Sequence, residues 1–105
     1  MLFMVIEHFE GSTVLPTYQR LAEAGRGLPD GLHFIDSWME AGCRRCFQLM
    51  ESDDAGLLQD WVLHWQGCGV SFEIVPVVPA SQTRAKAEQR LRGLPHIDDR
   101  VIVSE

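Results

Sequence analysis

Cys43-Arg44-Arg45-Cys46 has the two-residue spacing that redox dithiols and half-sites for zinc share. The context predicts neither chemistry. A redox dithiol sits at a helix N-terminus, where the dipole lowers the thiol pKa, whereas this pair opens a strand after a turn. A structural zinc site needs four ligands, and no second pair with that spacing follows. His64 and Cys68 are four residues apart near a helix end, a spacing that would meet a metal only with help from elsewhere in the fold. The expectation is unpaired thiols, no metal and no cofactor.

The histidines offer a second route. His8 and His33 fall in predicted strands, His64 in a helix and His96 in the C-terminal tail. A strand histidine beside a carboxylate can act as a general base. His8 with Asp36 is the pair expected to do so, and these two are the candidate catalytic residues. The competing reading is a hydrogen-bonded interface histidine. A Ser-His-Asp triad through Ser37 is unfavourable, because Asp36 and Ser37 are strand neighbours and point to opposite faces.

A third feature is aromatic. Trp61 and Trp65 stand one helical turn apart, which suits core packing or, with Tyr18 and Trp38, a wall for a flat ligand. Gly25-Arg26-Gly27 follows a helix, whereas a phosphate cradle precedes one. Arg26 therefore reads either as a helix C-terminal charge or as a carboxylate ligand at the mouth of a cleft. Tyr18, Arg26, Trp38, Gln48, Trp61 and Trp65 are the candidate ligand-binding residues.

Positioning these side chains requires a specific order of elements. Residues 2–9 are apolar and β-rich. Ser12 or Thr13 then caps a helix with Pro16 in its first turn, and Gly25 and Gly27 end it. Leu28-Pro29-Asp30-Gly31 is turn chemistry. Residues 32–40 and 44–51 read as a β-hairpin. Ser52-Asp53-Asp54 supplies an N-cap for a helix carrying Leu57, Leu58, Trp61, Val62 and Trp65, which Gly67 and Gly69 stop. Residues 70–78 form a fourth strand, whose Pro76 demands an edge or a bulge. Residues 80–92 are helical and charge-rich. From His96 the tail ends in Val101-Ile102-Val103, either a short strand or a disordered end. The order is βαββαβ, an α+β ferredoxin-like fold with an antiparallel four-stranded sheet, followed by an extra C-terminal helix and tail. Residues 1–80 form the domain and 81–105 the helix and tail.

Alternation divides the strands into two faces. Phe3, Val5, Ile35, Phe47 and Leu49 are clean apolar positions, expected beneath the helices. Met4, Ile6, His8, Phe34, Asp36, Trp38, Cys46, Gln48 and Met50 form a mixed face, expected to pair with a second subunit or to line a small-molecule pocket. Glu7, Ser37, Glu51 and Glu73 fall on the helix face near strand ends, where they reach solvent or line a cleft between sheet and helices.

The totals limit the partners. The chain has 105 residues, a net charge of −6 and 46% hydrophobic residues, which describes one globular domain with an acidic surface that repels nucleic acid. No apolar run is long enough for a membrane span. The N-terminus lacks a basic leader and a cleavage site, and three cysteines make an odd count, so the expected compartment is the cytoplasm.

The sequence also resembles a bacterial family of short proteins known as a domain of unknown function. The resemblance is carried by Leu2-Phe3-Met4-Val5-Ile6-Glu7, Gly25-Arg26-Gly27-Leu28-Pro29 with Gly31-Leu32, Asp36-Ser37-Trp38, and above all Cys46-Phe47-Gln48-Leu49-Met50-Glu51 with Asp53-Asp54. Trp61 with Trp65, and Phe72-Glu73 with Val75-Pro76-Val77, continue it to about residue 80. That family is similar in pattern to the dimeric α+β barrel superfamily, which includes antibiotic-biosynthesis monooxygenases, haem-degrading enzymes, muconolactone isomerases and stress-response barrels. The resemblance implies a homodimer of ferredoxin-like sheets with helices outside. It further implies a small, largely apolar ligand between sheet and helices, acted on by a cofactor-independent monooxygenase, isomerase or cyclase. A non-enzymatic binding or accessory protein of the same fold is the alternative. A cavity of about 300 Å³ or more favours the first reading, and a filled interior the second.

Overall fold

The computed structural model describes residues 1–94. It contains β1 (Leu2–Phe9), α1 (Val14–Ala24), β2 (His33–Met39), β3 (Arg45–Glu51), α2 (Ala55–His64), β4 (Val70–Val77) and α3 (Ala80–Arg92). The strands form one antiparallel sheet in the order β2-β3-β1-β4. This is the ferredoxin-like βαββαβ topology with one additional helix. Val101-Ile102-Val103 and His96 lie outside the described residues. Among the described residues, no helix is long and apolar enough to cross a membrane.

Local signals explain most of the boundaries. The Asp54 carboxylate accepts the Gly56 N–H at 2.8 Å and caps α2. Thr13 occupies the N-cap position of α1, but its hydroxyl donates instead to the Gly69 carbonyl at 3.1 Å. That bond ties the start of α1 to the turn before β4. Pro76 lies on β4, an edge strand, as its missing N–H requires.

The core lies between one sheet face and α2. Phe3, Val5 and Met50 rise from β1 and β3 to meet Leu58, Trp61 and Trp65, with Leu32 closing one side. Helix α1 has no fully buried residue and contributes Leu21 to the rim. No residue of α3 is buried or joins this core.

The strand faces differ in part from the sequence expectation. Phe3 and Val5 do lie beneath the helices. However, β1 pairs with β3 so that Phe3 faces Met50, Val5 faces Gln48 and Glu7 faces Cys46. Cys46, Gln48 and Met50 therefore belong to the helix-covered face, and Phe47 and Leu49 to the open one. Hydrophobicity alone misassigned β3 because its two faces are almost equally apolar, and a one-residue slip exchanges them. In β2 the register shifts between Phe34 and Asp36. This bulge puts Phe34 and Ser37 under the helices and leaves Asp36 and Trp38 on the open face. Glu51 and Glu73 also fall on the open face, opposite Leu2 and Ile6.

Replacing Asp54 by Ala should remove the α2 cap and lower stability by about 1 kcal/mol in urea denaturation. An unchanged midpoint would show that the cap is dispensable.

Candidate functional site

A cavity of about 140 Å³ lies on the helix-covered face. Glu7 and Phe9 reach it from β1, Ser37 from β2, and Cys46 and Gln48 from β3. Thr17, Tyr18 and Leu21 of α1 form one wall, Trp61 and Trp65 of α2 another, and Arg26 completes the lining.

One pair of hydrogen bonds sets this geometry. The indole N–H groups of Trp61 and Trp65 both donate to the Arg26 carbonyl oxygen, each at 2.9 Å. A carbonyl has two lone pairs, so both donors are satisfied at one atom. The glycines on either side make this possible. Gly25 and Gly27 have φ of +71° and +70°, a conformation that L side chains resist. A Cβ on Gly27 would also stand 2.3 Å from the His64 ring. With its carbonyl fixed, Arg26 lays its guanidinium over Phe34, with Cζ 3.6 Å from the ring centroid. Arg20 braces the far side of α2, donating to the His64 carbonyl at 2.9 Å and to Cys68 Sγ, with its guanidinium over Trp65.

Glu7 is the unusual member of the site. It is 6% exposed and has no hydrogen-bond partner among the described residues. Its neighbours across the sheet are Cys46 and Phe72, and Phe72 stands edge-on to Trp61 at 5.2 Å. Burial pushes the carboxyl up from 4.5 to about 7, partly opposed by the Arg26 charge. Burial, reinforced by Glu7, pushes the Cys46 thiol up to about 11. Cys46 is therefore a neutral thiol at pH 7 and a poor nucleophile. Burial and then the charges of Cys46, Glu7 and Cys43 raise the Tyr18 phenol, so it remains a protonated donor. Gln48 is 5% exposed, and its Oε1 has no partner among the described residues.

Five of the six expected ligand-binding residues, Tyr18, Arg26, Gln48, Trp61 and Trp65, line this one cavity. Trp38 does not. It is 52% exposed on the open face, opposite Phe47. His8 and Asp36 are not brought together. His8 Nε2 bonds Glu73 Oε1 at 3.0 Å, while Asp36 pairs with Leu49 and so lies level with Met4, four residues down β1 from His8. The Asp36 carboxylate instead accepts its neighbour's Ser37 N–H at 2.8 Å. Cys43, Cys46 and Cys68 are free thiols, and among the described residues no three His, Cys, Asp or Glu side chains are placed to hold a metal ion.

Of the four polar residues expected on the helix face, Glu7 and Ser37 do line the cavity between sheet and helices; the burial of Glu7 also has a sequence signal. Phe3, Val5 and Glu7 alternate on one face, so a carboxylate continues a buried apolar row.

The whole paired region, from the Glu7 strand through α3, matches one family. The chain belongs to the family described as Domain of unknown function (DUF3303), whose profile spans residues 1–91. No curated protein and no solved structure matches it. The DUF3303 match thus includes nearly all of α3 as well as the sheet and the cavity-lining helices.

Two stability measurements test the site. Glu7 binds its proton more tightly in the folded chain, at about 7, than at its ordinary 4.5. Its stabilising effect is therefore fully present below about pH 4.5 and is lost as pH rises to 7, leaving a penalty of roughly 3 kcal/mol above that. Glu7→Gln should abolish this decline, stabilising the protein by roughly 2–3 kcal/mol at pH 8 and changing little at pH 4. A parallel pH dependence in both proteins would refute it. Trp61→Phe and Trp65→Phe should each cost about 1–3 kcal/mol through lost volume and a lost hydrogen bond. Indole-to-phenyl exchange with no loss at either position would show that the shared carbonyl does not hold the site together.

Proposed function

We propose that this protein binds a small molecule with one largely apolar ring in the cavity between sheet and helices, and that Glu7 moves a proton on it. The observation that carries this reading is the Glu7 carboxyl, buried, unpaired among the described residues and poised near pH 7 where a general acid-base is most effective. The cavity volume, about 140 Å³, is short of the roughly 300 Å³ expected for the enzymatic reading, though the interior is not filled; it is comparable to a cavity that accepts one benzene ring. Trp61, Trp65 and Leu21 supply apolar walls, and Tyr18 and Gln48 supply polar contacts. The chemistry that suits this set is an isomerisation. Glu7 gives its proton to one atom of the substrate and, as the carboxylate, recovers one from another, so atoms and charge balance without a further reagent. A carboxyl kept in the core at a cost in stability is itself a mark of function.

The same reading includes a homodimer. Met4, Ile6, Trp38, Phe47, Leu49 and Val75 occupy the sheet face opposite the described core, and a second copy is its proposed cover. Helix α3 supports this choice. An isolated helix of 13 residues is marginal in water, and no α3 residue joins the core among the described residues. Four basic side chains and Glu88 give it a net charge of +3, whereas residues 1–79 carry four basic and eleven acidic side chains, a net of −7. A basic arm on an acidic body is complementary to a second acidic body. The three free cysteines support a reducing, cytoplasmic compartment.

Cyclohexanone, a one-ring carbon acid, tests the proton transfer. Its α-hydrogens should exchange in D2O faster with the wild-type protein than with Glu7→Gln, as followed by NMR. Saturable binding without Glu7-dependent exchange would make the protein a binding module with no such activity. Sedimentation should give a dimer for the wild type, and Trp38→Glu should shift it toward monomer. A wild-type monomer would contradict the assembly.

A further inference from the structure

We infer that the ligand is a small monocarboxylate that also carries a hydroxyl, its carboxylate held by Arg26 and its hydroxyl donating to Gln48 Oε1. This deepens the cavity reading above and rests on it. The two polar groups are independent observations. Gln48 is a buried amide facing the cavity, with its acceptor oxygen unpartnered among the described residues. A buried acceptor in that state is costly, and a ligand hydroxyl relieves it. Arg26 is half-buried and lines the same cavity. Its guanidinium makes no hydrogen bond or ion pair among the described residues, although its carbonyl is held from two sides. Stacking on Phe34 fixes the plane of the guanidinium and leaves its N–H edges available, the arrangement that suits a bidentate carboxylate. An uncharged ligand would leave those donors unused.

The placement has a consequence for protons. The groups around Glu7 are Arg26 after α1, Tyr18 on α1 and Cys46 on β3, with Cys43 of the β2–β3 turn acting on Tyr18, while α2 and β4 present the uncharged Trp61, Trp65 and Phe72. Arg26 is thus the cation that favours ionised Glu7. A bound carboxylate neutralises it and adds its own negative charge, so Glu7 takes up a proton as the ligand enters. Affinity then falls as pH rises through the Glu7 midpoint.

Titration calorimetry of the full chain with 4-hydroxybenzoate, benzoate and phenol tests this. The hydroxy acid should bind at least about tenfold more tightly than either single-function probe. Its heat should depend on the ionisation enthalpy of the buffer, reporting proton uptake. Arg26→Met, which keeps the backbone carbonyl and much of the side-chain stem, should remove the advantage over phenol. Arg26→Lys should restore part of it. Phenol binding as tightly as 4-hydroxybenzoate, or an Arg26→Met variant that retains the preference, would overturn the inference and leave the cavity reading standing. Binding of none of the three would overturn both.

Discussion

Two indole N–H groups meeting at one backbone oxygen organise this protein. The Arg26 carbonyl accepts from Trp61 and Trp65 at 2.9 Å each. Through that atom the segment after α1 is fastened to α2. The indoles are thereby oriented with their rings toward the sheet and their polar edges toward the connecting loop. The Arg26 side chain then has one place to go, over Phe34 and beside the cavity. The flanking glycines serve the same end, since φ near +70° on both sides turns the carbonyl toward the two donors. Without this clamp, the wall of the cavity and Arg26, the one cation among its described lining residues, would lose their common anchor.

Glu7 depends on that arrangement. A carboxylate in a buried strand is destabilising unless it is paired or protonated. Here no hydrogen bond among the described residues compensates it, and Arg26 offsets the burial only in part. The result is a group that titrates near neutrality, adjacent to a neutral thiol at Cys46, a neutral phenol at Tyr18 and an amide at Gln48. Proton transfer is the chemistry we propose for this set, because Cys46 and Tyr18 can donate hydrogen bonds but do not ionise near pH 7.

Much of the fold was legible in the sequence because punctuation was strong. Gly25, the Asp54 cap and Pro76 mark element ends with local chemistry that tertiary structure has no reason to overrule. The strand faces were less legible. Cys46, Gln48 and Met50 alternate with Phe47 and Leu49, and hydrophobicity does not decide between two such rows. Register decides, and register is a property of the pairing with β1. The bulge in β2 had no sequence signal, yet it puts Phe34 on the same helix-covered face as Ser37, where alternation alone would separate them. The same logic explains the site. Tyr18, Arg26, Trp61 and Trp65 were recognisable from residue type and helical spacing. His8 and Asp36 shared a face but not a neighbourhood, because strand order and offset separate them.

We propose that the fold holds Glu7 as a proton carrier active near neutrality. The most direct measurement is an NMR titration of the Glu7 side-chain carboxyl carbon in the intact protein. A midpoint of about 7 is expected. A midpoint near the ordinary 4.5 would show that Glu7 is simply a solvated carboxylate, and the proposed chemistry would have no carrier.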